Sequence, residues 1–291
     1  MTITDTTAVA EQLPSVARWP GRRLRLRPGI TLAWLMVAFL VAAVAFPALI
    51  APDAPLAVDP SKTLLGPSLS HLFGTDQSGR DVFSRVVYGA RESLSIGVAA
   101  TIVGLAIAIV LGFVAGLGGR WADLLISRFL EILFAFPSLL LALLFVAMFG
   151  AGVGSLIIAV GIGSAPGYAR MIRGQVIAVR HAPYVEAARV LGHSPLRITA
   201  SSIFPNAMRP LLVLGTLGIG QSIVWASALS FLGLGAAPPA PEWGAMLAAG
   251  RDFAASAWWL EIFPGAVIVA TALAATAIGR HLQRRLEGRL T

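Results

Sequence analysis

The sequence predicts an all-α, polytopic membrane protein with six transmembrane helices and with both termini in the cytoplasm. Of its 291 residues, 57% are apolar and only 12% are charged, whereas a soluble domain carries about 25% charged residues. So few polar side chains cannot cover a water-facing surface, and the mean hydropathy of +0.80 agrees with this. Lipid is therefore the expected solvent for much of the chain.

Six apolar stretches are long enough to cross a bilayer, which takes about 20 residues of helix. They are residues 31–50, 94–117, 124–149, 155–172, 210–231 and 260–279. We expect the fourth stretch to lie inside the bundle, because Pro166 and three glycines interrupt it and freed backbone groups need partners at membrane depth. Gly112 and Gly116 in the second stretch form a GxxxG pair, which is typical of closely packed helices.

The distribution of arginine predicts the orientation of these spans. Six spans place both termini on one side, and that side holds seventeen of the 22 lysines and arginines, in residues 18–27, 120–128, 170–209 and 280–289. The opposite side holds the other five, among them the only lysine, Lys62. Loops rich in lysine and arginine stay in the cytoplasm. The net charge of +8 therefore indicates membrane topology, and no binding of nucleic acid is expected.

The spans divide the chain into five segments. They are a cytoplasmic N-terminal tail (1–28), the first transmembrane helix (29–51), an extracytoplasmic segment with an interfacial helix (52–92), a transmembrane core (93–285) that includes the cytoplasmic loop 173–209, and a cytoplasmic C-terminal tail (286–291). The alternative is that residues 18–50 are a cleaved signal peptide. The apolar run is too long for a signal peptide and five more spans follow it, so we expect it to remain as a span.

The interfacial helix is predicted directly before the second span. Ser78 is suited to cap it, and Ser84 is expected to face water. Its apolar face consists of Val82, Phe83, Val86, Val87 and Ala90. Two pairs of opposite charge have the i,i+4 spacing of ion pairs: Asp76 with Arg80, and Asp81 with Arg85. The helix either anchors the second span or contacts an external protein.

The cytoplasmic loop predicts a short helix, a turn and a second helix. Pro183 opens the first helix, Gly192 ends it, and Ser194 with Pro195 opens the second, which runs toward Pro205. One face of the first helix holds Tyr184, Ala187, Ala188 and Leu191, and another face holds Glu186 and Arg189. A solvated loop would not need this apolar stripe, and the membrane at both ends argues against a DNA-binding motif. A docking helix for a soluble partner is the better interpretation.

Residues for catalysis are missing from the sequence. Its four histidines are scattered, and no spacing gathers metal ligands. A Walker A loop needs a lysine after a glycine-rich turn, and no such turn precedes Lys62. We therefore predict no catalytic residue, no metal site and no cofactor in this chain, and any ATP must be bound by another subunit.

Several motifs resemble those of bacterial ABC importer permeases. Glu186-Ala187-Ala188, then Gly192, then Pro205 match the EAA loop of that family, although Ser202 and Phe204 replace its isoleucine and leucine. Other stretches resemble the C-type permease of dipeptide and oligopeptide importers. They include residues 71–76, 79–82, 89–94, 135–137, 166–170, 230–235 and 243–247.

This resemblance implies a type I permease fold in the bacterial cytoplasmic membrane and a role in ATP-driven import of oligopeptides or dipeptides. The implied partners are a homologous B-type permease, ATPase subunits as two chains or one fused chain that bind ATP and magnesium, an extracytoplasmic binding protein and the lipid bilayer. The residues that would couple to the ATPase are Tyr184, Glu186, Ala187, Ala188, Leu191 and Gly192. The residues that would contact the binding protein are Asp76, Arg80 and Trp243.

The fifth span contains a polar cluster that is candidate lining for a translocation path. Its members are Gln221, Ser222, Trp225 and Ser227. Polar groups within a membrane tend to face the bundle interior, but the same residues are also suited to hydrogen bonds between helices. Nickel or another small solute is an alternative cargo. An ion-coupled transporter is a weaker alternative, because Glu131 is a lone carboxylate near a helix end.

Overall fold

A computed structural model describes residues 28–51 and 53–288, and within these ranges the protein is helical with no strand. The predicted tails lie outside the described residues, apart from Pro28 and residues 286–288. The helices are α1 (Pro28–Ala45), α2 (Pro47–Ile50), α3 (Val82–Leu117), α4 (Gly119–Ala135), α5 (Ser138–Phe149), α6 (Val153–Arg180), α7 (Pro183–Val190), α8 (Pro195–Ile198), α9 (Phe204–Met208), α10 (Leu211–Phe231), α11 (Trp243–Gly250) and α12 (Trp259–Glu287).

Five of the six predicted spans are single long helices in the part of the chain that the structure describes. They are α1, α3, α6, α10 and α12, and each is long and apolar enough to cross a membrane. The third predicted span, 124–149, is instead two helices, α4 and α5, bent by 91°. The break falls at Phe136, which is extended, because a following proline disfavours helical backbone at the residue before it.

The centre of the bundle is formed by α3, which packs along α6 and also against α10. A Cβ added to Gly112 would lie 2.7 Å from a side-chain atom of Ile172, and one added to Gly104 would lie 2.9 Å from the carbonyl oxygen of Gly161. The two backbones therefore approach more closely than any side chain would allow. The close packing predicted from Gly112 and Gly116 is confirmed.

The bundle has two differently built ends. The arginine-rich end contains the C-terminal ends of α3, α6 and α12, the turn into α4, and the short helices α7, α8 and α9. The opposite end, which we call the loop end, carries residues 53–81 and 232–258 with the helix α11. Which end faces the cytoplasm remains a prediction from the arginine distribution.

At the loop end the first residues of α3 differ from the prediction. The helix begins at Val82, and its cap is Asp81, whose carboxylate accepts the N–H of Ser84 at 2.7 Å. Ser84 was expected to face water, yet it is 1% exposed. The sequence misplaced this side because residues 53–81 and 232–258 fold over the start of α3, where Arg85 bonds to both, and no local pattern in the sequence indicates that contact. The apolar face around Val82 and Val86 is buried as predicted.

Candidate functional site

The helix α7 lies across the arginine-rich end and presents two unlike sides. Val185 is fully buried and packs with Ile172 and Val176 of α6, and Ala188 is half-buried against the same cluster. Burying a valine side chain contributes about 1.5–3 kcal/mol, so these contacts fix the helix on the bundle. The other side of α7 is left open to solvent.

The turn after α7 is a Schellman motif. Gly192 has φ +76, the N–H of Gly192 donates to the carbonyl of Arg189 at 2.9 Å, and the N–H of His193 donates to that of Ala188 at 3.1 Å. These are the paired bonds that close a helix at a left-handed residue. A Cβ at Gly192 would meet nothing within 4 Å, so the glycine is needed for its backbone conformation alone. The predicted helix stop at Gly192 is confirmed.

The second predicted helix is present but is not uniform. It opens at Pro195 with Ser194 as its cap, passes through one wider π-helical turn, Thr199–Ile203, and continues as α9. Pro205 has no N–H to donate to the residue four places earlier. The wider turn before it accommodates that missing bond, and it lets Ile203 and Ala207 reach the buried cluster beneath.

The exposed surface of this region combines large apolar side chains with one acid, Glu186, and two arginines, Arg189 and Arg197. We call residues 183–208 the coupling segment. Val190 is 88% exposed, Leu191 is 74% exposed and Leu196 is 80% exposed. Tyr184 and Glu186 are exposed beside them, and Glu186 makes no ion pair with any described residue. Such a cluster at a helix end, held rigidly from below, is suited to bind a protein groove.

A cavity of about 300 Å³ lies between α7 and α8 at the same end. Arg180, Arg189 and His193 line it beside apolar residues. Arg180 donates to the carbonyl of Gly116 at 3.2 Å, and Arg189 donates to the carbonyl of Arg180 at 3.3 Å. These two bonds tie the C-terminal ends of α3 and α6 to the coupling segment.

A further link at this end was not predicted. Arg173 of α6 binds both carboxylate oxygens of Asp123 in α4, one of them at 2.7 Å. A two-pronged pair of this kind fixes geometry as well as distance. A second ion pair, of Arg128 with Glu131 at 2.6 Å, forms on the exposed side of α4.

The four candidate path residues of α10 divide into two sets. Ser222 is 1% exposed and accepts the hydroxyl hydrogen of Thr101 at 3.0 Å, and Ser227 is 4% exposed. These two lie within helix contacts. Gln221 is exposed and Trp225 is half-buried, and a spacing of four residues places both on one face of the helix. Of the four, only Gln221 and Trp225 have appreciable exposed surface.

The three residues expected to contact an external binding protein are buried, which corrects that prediction. Asp76 is 5% exposed, Arg80 is 7% exposed and Trp243 is fully buried. The ion pair of Asp76 with Arg80 is confirmed at 2.7 Å, but it lies inside the loop end. Trp243 donates its indole N–H to the carbonyl of Val86 at 2.9 Å. Their polar groups are satisfied within the chain, so they stabilise the loop end and offer no free surface.

Two buried charged groups at the loop end were missed by the sequence analysis. Arg85 was expected to pair with Asp81, but its guanidinium lies 3.6 Å from Asp76. It also donates to three carbonyl oxygens at 3.3 Å each, those of Pro55, Pro239 and Ala240. These bonds join segments more than 150 residues apart in sequence. No local pattern could have indicated them.

The second missed group is Glu242, which is 1% exposed. Its carboxylate caps α11 by accepting the N–H groups of Gly244 and Ala245, both at 2.8 Å. It also accepts the hydroxyls of Ser230 and, at 3.4 Å, of Ser93. One carboxylate therefore joins α3, α10 and α11. The sequence signal that could have identified this cap is an acidic residue directly before an apolar helix.

One histidine does meet carboxylates, although the sequence showed no such grouping. Ligand-type atoms of Asp53, His71 and Asp81 lie within 4.8 Å of one another. His71 Nδ1 is 3.0 Å from Asp81 Oδ1, and the other oxygen of Asp81 caps α3. This hydrogen bond and the helix cap account for the positions of His71 and Asp81.

The described residues form a bundle of helices long enough to cross a membrane, and the exposed helix α7 lies between two of them, α6 and α10. Residues 108–291 match the family described as the binding-protein-dependent transport system inner membrane component. The chain belongs to this family of ABC importer permeases, and it is a multi-pass protein of the bacterial inner membrane.

Similar proteins narrow the family to its peptide and nickel branch. The chain is 44% identical over 232 residues to the dipeptide transport system permease protein DppC of Alkalihalophilus pseudofirmus, covering 80% of this chain and 76% of that one. It is 40% identical over 267 residues to the glutathione transport system permease protein GsiD of Pectobacterium atrosepticum, covering 91% and 89%.

Solved structures agree on the fold. An amino acid ABC transporter gives a TM-score of 0.56 at 18% identity and covers 70% of this chain and 94% of that chain. An inward-facing methionine transporter, MetNI, gives 0.53 at 20% identity and covers 68% and 96%. The chain therefore has the fold of an ABC importer permease, as the resemblance implied.

Proposed function

We propose that this chain forms half of the translocation pathway of an ATP-driven peptide importer, and that its coupling segment docks in a groove of a separate ATPase subunit. The observation that supports docking is the exposed apolar surface around Tyr184, Val190 and Leu191, mounted on a buried Val185. In this mechanism ATP closes the ATPase pair, and the coupling segment carries that movement into α6 and α3. The chain itself does no covalent chemistry.

The test uses two substitutions in the coupling segment. Glu186→Ala removes a charge that has no partner within the described chain, and a charge-assisted hydrogen bond of about 1.5–3 kcal/mol corresponds to a roughly ten- to hundredfold weaker contact. Gly192→Val forces a side chain into a left-handed conformation and re-aims the second helix. Both variants should reach the membrane at normal abundance, lose transport, and show ATP hydrolysis that no longer responds to the loaded binding protein.

The matched control is Arg120→Ala, which removes an exposed charge from another turn at the same end. It should transport nearly as well as the unaltered protein. Normal transport in both coupling-segment variants at normal abundance would remove the docking role.

Peptides are the proposed cargo, as oligopeptides or dipeptides. Relatives named for dipeptide and glutathione transport support this, since both solutes contain peptide bonds. Nickel or another small solute is the alternative. Identifying the solute that co-purifies with the binding protein of the assembled importer distinguishes them. The partners are a homologous B-type permease, ATPase subunits that hold ATP and magnesium, and the binding protein.

The face of α10 that holds Gln221 and Trp225 is the proposed lining of the path. These two side chains have exposed surface, whereas Ser222 and Ser227 are enclosed by other helices. Gln221→Ala should therefore change transport selectivity or rate more than Ser222→Ala, which should instead lower stability by removing a buried hydrogen bond worth about 1 kcal/mol.

The arginine distribution supports a cytoplasmic position for the arginine-rich end. A cysteine placed at Ser61, in the loop end, should react with an impermeant thiol reagent in intact cells. A cysteine at Ser201, in the coupling segment, should be protected until the membrane is opened. Labelling of residue 201 from outside would reverse the orientation and with it the docking proposal.

A further inference from the structure

A groove of about 700 Å³ lies between α1, α3, α10 and α12, away from the coupling segment and from the proposed path. Its walls are almost wholly apolar and include Val41, Leu94, Val98 and Ile219. This volume is within the range of about 300–1,000 Å³ that is typical of small-molecule sites. Its size and apolar walls make it suited to an apolar molecule.

The groove opens toward the outside of the bundle. Val41 on α1 is 61% exposed and Val98 on α3 is 38% exposed, and both line the groove. In a membrane protein such a surface meets lipid. The groove also has almost no polar lining that a peptide backbone could use, since Thr271 donates its hydroxyl hydrogen to the carbonyl of Val267 at 2.7 Å.

A positively charged side chain, Arg91, lies at the end of the groove that is nearer the loop end. Arg91 lines it together with Leu94, Ser95 and Val98, a spacing that places all four on one face of α3. Arg91 is exposed and makes no ion pair among residues 28–51 and 53–288. A guanidinium forms two parallel hydrogen bonds with a phosphate.

We propose that this groove is a binding site for an anionic phospholipid, with the headgroup phosphate on Arg91 and one acyl chain along the groove toward Val98. The seven residues from Arg91 to Val98 rise about 10 Å along α3, which lets a single chain pass from the cation into the apolar part. The lipid would fill the space between α1 and the rest of the bundle. Only 17% of the residues of α1 are buried in the protein. A lipid in the groove would therefore hold α1 in position.

The experiment compares the full-length protein, purified in mild detergent from membranes that contain phosphatidylglycerol, with three variants. Arg91→Gln removes the cation, Val98→Trp fills the groove without adding charge, and Arg251→Gln removes an exposed arginine at the same end that does not line the groove. Retained lipid is extracted after repeated detergent washing and quantified by mass spectrometry.

The unaltered protein and Arg251→Gln should retain phosphatidylglycerol equally. Arg91→Gln and Val98→Trp should each retain about tenfold less, as expected for loss of one charge-assisted contact or of the space for the chain. Arg91→Lys should restore most of the retention, which keeps the test valid if Arg91→Gln folds poorly. Equal retention in Arg91→Gln would overturn the proposal.

A photo-reactive amino acid at residue 98 separates the other occupants of the groove. Its adduct should be a phospholipid. An adduct with a second copy of this chain, with the partner permease or with a peptide cargo would show that the groove belongs to that molecule and would also overturn the proposal.

Discussion

The loop end and the coupling segment are both built from short capped helices joined by glycine turns, but they direct their side chains in opposite ways. At the loop end the charged groups Asp76, Arg85 and Glu242 are buried, and ion pairs, serine hydroxyls and backbone groups satisfy them. In the coupling segment the apolar side chains of Val190 and Leu191 point outward and are largely exposed. The polar groups of the first region are satisfied within the chain, whereas the second region leaves large apolar side chains exposed.

This difference separates residues that hold the fold from residues that are available to a partner. Changes at the loop end should act on stability, because each buried polar group there has several partners. Changes on the exposed side of the coupling segment should act on assembly with the ATPase and leave stability unchanged. Three comparisons of variants test the distinction, in descending order of the largest effect expected in each.

The largest effect is expected from Glu242→Ala. It leaves the N–H groups of Gly244 and Ala245 and two serine hydroxyls without their acceptor, and each buried unsatisfied group costs about 1–3 kcal/mol. The free energy of unfolding should fall by at least about 3 kcal/mol. Thermal unfolding in detergent measures this, with the exposed Asp252→Ala as control. Equal unfolding temperatures for the two variants would mean that the loop end is not held from within.

An intermediate effect is expected from paired substitutions on the two sides of the coupling segment. Val185→Ser removes a fully buried side chain and should cost about 2 kcal/mol. Leu191→Ser, at a side chain that is 74% exposed, should stay within about 0.5 kcal/mol and yet reduce co-purification of the ATPase. If Leu191→Ser lowered the unfolding temperature as much as Val185→Ser, the exposed surface would be part of the core.

A smaller loss of stability than that of Val185→Ser is expected from Gly192→Ala. The side chain would meet no atom, so the cost is the backbone strain of about 1 kcal/mol. Gly174→Ala, in the interior of α6 and equally free of contacts, should instead stabilise by about 0.5–1 kcal/mol. Changes of the same sign in the two variants, measured by thermal unfolding, would contradict the left-handed conformation at Gly192.

Periodic and local features could be predicted from the sequence. The apolar stretches located five spans as continuous helices, since a run of about 20 apolar residues can be buried in lipid in few other ways. Pro183, Gly192 and Ser194 located the caps of the coupling segment, because a cap depends on residues within one turn of it. The family resemblance rested on the same short motifs.

Only the tertiary structure decided which polar residues are enclosed. Trp243, Asp76 and Arg80 were candidates for an external contact, and Ser84 was expected in water, because in sequence they are simply polar or aromatic residues near a membrane surface. They are buried because residues 53–81 and 232–258, far apart in the chain, fold over the start of α3, with Arg85 bonding to both. Hydrogen bonds between such distant segments leave no periodic trace, so the sequence determined the five long helices and the caps of the coupling segment, and the packing of the loops determined which surfaces remain free.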